Sequence, residues 1–207
     1  MRLLALPLVA ASLLAFAPEP VLPAASGAHA ASASAPLART VAAPDTNPPV
    51  VLTRSALRFS LSRLLIPVVG IEAGDLHNSF TSPRSGGRRH NAIDINAPRG
   101  TPVVAISDGE IARMSWSRLG GRTLYLRAAD GSHDFYYAHL HSYARGMEVG
   151  DLVQQGDTLG TVGTTGNARG PHLHFQILRK SGRGRGTPVN PYTLLRRSEL
   201  HRESTRG

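Results

Sequence analysis

The chain has 207 residues, 41% of them hydrophobic, enough for one domain with a proper core. It has no cysteine, which excludes disulfides, a thiolate nucleophile and a Cys-type structural zinc site. Its 23 Lys and Arg against 14 Asp and Glu give a formal charge of +9 and call for an anionic partner, whereas 5% aromatics argue against the stacking platforms of a single-strand nucleic-acid binder.

Residues 1–30 read as an export signal. Arg2 supplies the positive start, Leu3 to Phe16 form an apolar run broken only by Pro7 and Ser12, and small residues follow through Ala28-His29-Ala30, where cleavage is expected. The run is short for a membrane span, and no later stretch is long and apolar enough to cross a bilayer. The product is therefore expected in the periplasm or outside the cell. Residues 31–56, rich in Ala, Ser and Pro, read as a linker. A more apolar lead-in occupies 57–74, where the stretch 55–65 suits either a helix stopped by Pro67 or an extended strand.

From Asp75 the pattern changes to short apolar runs punctuated by Gly, Pro and Asp. This predicts an all-β, compact antiparallel domain over 75–198, with strands near 92–95, 102–107, 109–116, 123–127, 134–140, 158–163 and 173–178. Tight turns are signalled at Ser107-Asp108-Gly109, Leu119-Gly120-Gly121 and Asp130-Gly131. A short helix is expected near 194–200, and 199–207 as a tail.

Two histidine strings carry the chemistry. In His90-Asn91-Ala92-Ile93-Asp94 an imidazole and a carboxylate stand four residues apart, a spacing that shares one face on a strand or a helix. In Pro171-His172-Leu173-His174-Phe175 two imidazoles stand two apart, which share a face only on a strand. There His172, His174 and Gln176 alternate with Leu173, Phe175 and Ile177. Two His and one Asp from distant segments make a three-ligand catalytic zinc site with an open fourth position. We assign His90, Asp94 and His174 to one zinc ion. His172, on the same face as His174, and His139 of Tyr136-Tyr137-Ala138-His139-Leu140-His141 are assigned to proton transfer and charge stabilisation. No His-Glu-x-x-His helix is present to supply a Glu base. Each residue has a plainer reading: Asp94 as a turn or capping carboxylate, His139 as a part-buried ring satisfied by a backbone carbonyl.

The same residues sit in a longer ordered set. It comprises Ser79-Phe80, Gly86-Gly87-Arg88-Arg89-His90, Ala92-Ile93-Asp94-Ile95, Ala97-Pro98-Arg99-Gly100-Thr101-Pro102-Val103 and Asp108-Gly109. Further along come Tyr137-Ala138-His139-Leu140, Gly156-Asp157, Gly163-Thr164-Thr165-Gly166, Gly170-Pro171-His172-Leu173-His174-Phe175 and Asn190-Pro191-Tyr192. Over roughly residues 70–195 the chain resembles the lysostaphin/LytM-type zinc metallopeptidases, family twenty-three of the metallopeptidases. The resemblance implies a β-sandwich or barrel-like LytM-type (duplicated hybrid motif) domain with a groove over the metal. It implies cleavage of peptide bonds in bacterial peptidoglycan. In that family the counterparts of His90, Asp94 and His174 bind zinc and those of His139 and His172 assist catalysis.

A competing reading is a wall-binding or amidase-activating module that does not cut. The anionic envelope surface is the expected electrostatic partner, and nucleic acid is not. Loops 75–89, 115–122 and 140–149 are expected to line the groove. The Gly-rich segment from Gly160 to Gly166 lacks the Gly-Lys-Ser/Thr ending of a phosphate loop, and its glycines are expected to let the backbone turn tightly. The basic loop Ser181 to Gly186 reads as a solvated connection, and His77, His133, His141 and His201 as ordinary surface or structural residues.

Overall fold

The structure, a computed structural model, describes residue 53 and residues 57–204 except 183 and 185. The expected export signal and linker lie outside these residues, Thr53 apart. Among the described residues ten strands and one α-helix follow in order: β1 Ile93–Asn96, β2 Pro102–Val104, β3 Gly109–Ser117, β4 Gly121–Ala128, β5 His133–Leu140, β6 Ser142–Tyr143, β7 Leu152–Val153, β8 Thr158–Thr161, β9 His172–Arg179, β10 Thr187–Val189 and α1 Pro191–Ser204.

Every strand pair is antiparallel. A seven-stranded sheet runs β1-β9-β5-β4-β3-β7, with β10 also on β9, and a three-stranded sheet runs β2-β8-β6. The inward residues of both join one core: Val103 and Leu159 from the small sheet meet Ile111, Leu124, Phe135, Tyr137 and Phe175 from the large one. In β9, Leu173, Phe175 and Ile177 are fully buried while His172, His174 and Gln176 lie on the other face, as the alternation predicts. Each of these apolar side chains stabilises the fold by about 1.5–3 kcal/mol before conformational entropy is charged against it.

Over its described residues, 57–65 of the expected 55–65 segment, the chain forms neither one helix nor a ladder-paired strand. A single 3₁₀ turn, Leu61–Arg63, is followed by extended chain that buries Leu64, Ile66 and Val68. Leu65 N donates to Ile106 O at 3.0 Å, Val68 bridges to Val103, and Pro67 bars a helix. The strand expected over 102–107 stops at Val104 because Ala105 N turns to Asp157 O at 2.9 Å. The helix is longer than expected at both ends. Asn190 Oδ1 accepts from Tyr192 N at 3.1 Å, Pro191 supplies a first-turn residue that needs no donor, and buried Ser198 donates to Leu61 O at 3.0 Å, docking α1 on the lead-in.

Candidate metal centre

Strand β9 lies between β1 and β5, and the ladder puts Asp94 opposite His174 and His174 opposite Ala138. Backbone register alone therefore brings a carboxylate and an imidazole together on the face away from the core. His90 reaches the same place from a hairpin ahead of β1. His90 N donates to Ser82 O at 2.9 Å, and Asn91, at φ +55°, makes the left-handed step that turns the chain into the strand. That step is held from both sides: Asn91 N donates to Phe80 O at 2.8 Å, and Asn91 O accepts from Gln176 Nε2 at 2.8 Å.

Three donor atoms then form a near-equilateral triangle. His90 Nε2 stands 3.0 Å from Asp94 Oδ1 and 3.1 Å from His174 Nδ1, and His174 Nδ1 stands 3.0 Å from Asp94 Oδ1. Ligands about 2.0–2.1 Å from a tetrahedral zinc lie about 3.3 Å apart, so the set fits that ion closely. The proton positions fit as well. His90 Nδ1 donates to Ser79 O at 2.9 Å, leaving Nε2 turned inward toward Asp94 and His174. Arg84 Nη2 holds Asp94 Oδ2 at 2.6 Å, leaving Oδ1 to face the nitrogens. Burial works against the Asp94 charge, but the His174 and His90 imidazoles beside it outweigh that and hold the carboxyl well below its usual range. Burial pushes His174 down, toward the neutral ring a metal requires.

His172 and His139 face this triangle without belonging to it. His172 Nε2 is 3.8 Å from Asp94 Oδ1, and the His139 and His172 rings lie 4.8 Å apart. His172 Nδ1 donates to Gly170 O at 2.8 Å and His139 Nδ1 to Thr165 O at 2.8 Å, so each ring commits Nδ1 to a backbone carbonyl and leaves Nε2 open. Burial, the largest influence, brings His139 down to about 4.

Regular alternation would put His139 in the core, because Tyr137 is buried there and Ala138 pairs with His174 on the outer face. The β4–β5 ladder shifts here: Arg122 pairs with Leu140 but Leu124 with Tyr137, so β5 carries one extra residue. His139 takes φ +62° at this bulge and turns outward. Its N–H donates to Gly120 O at 2.8 Å, and the Thr165 loop packs so closely on Gly121 that a Cβ there would lie 2.5 Å from Gly166 N. The glycines of both segments make that approach feasible.

The five side chains line one groove of about 560 Å³. Its walls come from loop 83–89, from Leu119 and Gly120, and from Asn167 and Arg169, with Tyr136 on the floor. Segment 140–149, expected as a wall, contributes no lining residue, and the loop before β9 takes its place. The sequence reading missed Arg84, Tyr136 and Arg169. Only Tyr136 had a signal, its outward parity beside buried Tyr137. Of the histidines read as ordinary surface or structural residues, His133 is buried against Phe59 and His141 is exposed beside Arg99.

Two imidazoles and a carboxylate in one open cluster, faced by two further imidazoles, could hold a metal ion and have the composition of a hydrolytic zinc site. The chain belongs to Peptidase family M23, whose profile matches residues 88–191. It is similar to the peptidoglycan DD-endopeptidase ShyC of Vibrio cholerae, 37% identical over 107 residues that make up 52% of this chain and 23% of that protein. It is also similar to the glycyl-glycine endopeptidase ALE-1 of Staphylococcus capitis, 37% identical over 120 residues, 58% of this chain and 32% of that one. The chain thus spans a third or less of these two curated relatives. Among solved structures, the catalytic domain of the antimicrobial peptidase lysostaphin from Staphylococcus simulans superposes with a TM-score of 0.52 at 36% identity, covering 57% of this chain and 89% of that one.

Proposed function

We propose that the chain is an exported, zinc-dependent endopeptidase that hydrolyses peptide bonds in bacterial peptidoglycan, in cross-links or stem peptides. In this reading an export signal at 1–30 and a linker at 31–56 precede the lead-in and the peptidase domain at 75–198, and the envelope's anionic surface concentrates the +9 chain. The observation that carries it is the meeting of His90, Asp94, His174, His139 and His172 in one groove.

His90, Asp94 and His174 hold the zinc. When bound, zinc polarises the scissile carbonyl and makes water acidic enough to attack at neutral pH. The chain's own part is proton handling. His139, kept neutral by burial, offers Nε2 to the proton of the attacking water, and His172 presents a second Nε2 from the strand that carries His174. Once protonated, either ring donates to the developing oxyanion or to the departing amine. A module that binds the wall without cutting it would need neither His139 nor the bulge that turns it into the groove.

The test is digestion of isolated peptidoglycan by the zinc-loaded chain, with mass spectrometry of the released fragments. New amino termini are expected from the wild type and none from His174→Ala. Equal digestion by that variant rejects the reading.

A further inference from the structure

The loop that delivers His90 is a hairpin with unbalanced charge. Arg84 N donates to Arg88 O at 2.8 Å and Pro83 bridges to Arg89, so two short arms meet over Ser85-Gly86-Gly87, with both glycines at positive φ. This puts Arg84 opposite Arg88 with Arg89 beside it. Like charges directly opposed in an antiparallel pair are destabilising, and here one arm carries two arginines and the other a third. Asp94 Oδ2 relieves Arg84. Arg88 spends its Nε on Ser85 O at 3.2 Å, and among the described residues Arg88, Arg89 and Arg169 make no ion pair.

All four arginines line the groove, and Asp94 is the only carboxylate among its lining residues. That carboxylate is already engaged by Arg84 and the histidines. Three guanidiniums without counter-charges around a peptide-sized groove match free carboxylates, which arginine binds in a two-pronged fashion.

The geometry points to a carboxylate-recognising substrate subsite: Arg88, Arg89 and Arg169 bind free carboxylates flanking the bond to be cut, so the groove takes acidic peptides in preference to neutral glycine chains. This rests on the peptidase reading of the groove and narrows its substrate class. It differs from a general effect of the +9 charge because it is confined to the groove's own arginines.

The experiment measures calorimetric binding to the full-length, zinc-loaded protein of three probes: soluble muropeptides with free carboxylates, the same muropeptides after amidation, and pentaglycine. The free-carboxylate form should bind roughly tenfold tighter than either neutral probe, the scale of charge-assisted contacts. Arg88→Gln with Arg169→Gln should erase that preference. Arg63→Gln with Arg197→Gln, the same charge loss outside the groove, should keep it. Equal affinity for the free and amidated forms, an undiminished preference in the groove variant, or no binding of any probe overturns the subsite. Cleavage is scored separately. Preference without cleavage supports the subsite and rejects the peptidase reading; cleavage of all probes without preference rejects the subsite alone.

Discussion

Asp94 and His174 face each other directly across β1 and β9, with Asp94 Oδ1 3.0 Å from His174 Nδ1. The ladder fixes their separation, so two of the three proposed ligands are set before any loop closes, and only His90 depends on a hairpin.

A site this preformed should bind metal without large rearrangement. Zinc at a hundred times its dissociation constant should stabilise the fold by about 2.7 kcal/mol, and a chelator should reverse it. In His174→Ala the melting temperature should not respond to zinc, and the purified protein should carry none by elemental analysis. A zinc-dependent shift of normal size in that variant would falsify the ligand assignment.

Arg84 holds Asp94 Oδ2 at 2.6 Å and so acts as a positioning residue. Arg84→Met frees the carboxylate to rotate, and losses of this kind cost about 10–100-fold in metal affinity. Competition with a coloured chelator measures it, and Arg84→Lys should recover part of the loss.

Two glycines separate the cost of backbone strain from that of steric conflict. At Gly121, φ is +63° and a Cβ would meet Gly166 N at 2.5 Å; at Gly131, φ is +74° with nothing nearby. Gly121→Ala should cost about 3 kcal/mol and reduce turnover, since the loop it displaces holds His139. Gly131→Ala should cost about 1 kcal/mol and leave turnover unchanged. Urea unfolding together with turnover of one soluble peptide distinguishes the two.

Tyr137 is fully buried, and its hydroxyl accepts from Ile106 N at 3.2 Å, joining the large sheet to the chain leaving β2. Burial raises its pKa, so it stays a neutral phenol. Tyr137→Phe strands a buried N–H and should destabilise by about 1–3 kcal/mol in chemical unfolding.

Burial also lowers the pKa of His133, which lies against Phe59 and Phe135. The unfolded chain then binds the proton more readily than the folded one, so stability rises with pH across this window. The contribution is fully present above about pH 6.5 and is lost as pH falls from there toward the depressed folded value. With chelator present, the wild type should lose stability more steeply than His133→Gln between pH 7 and pH 5. Parallel slopes would contradict the assignment.

The strands that carry the site were legible because their alternation is strong: β9 interleaves Leu173, Phe175 and Ile177 with His172, His174 and Gln176. Strands β6, β7 and β10 were not, because two or three residues cannot express a period. The extra residue at His139 was equally hidden. Nothing local in Ala138-His139-Leu140 marks a bulge, which arises from the fit of β5 against β4 and the Thr165 loop. Loop 75–89 was expected to line the groove, but which way its arginines face was not legible, since charge in a loop shows no direction until the loop's own hydrogen bonds are known.

The placement of β9 has a consequence for how variants can be recovered. Sliding that segment by one residue would turn both imidazoles inward and push Leu173 and Phe175 toward water. Misaligned molecules would then be sticky as well as inert. A library screened only for soluble expression is therefore already enriched for chains whose histidines sit in their proper places, while diversity in the flanking loops passes through unfiltered.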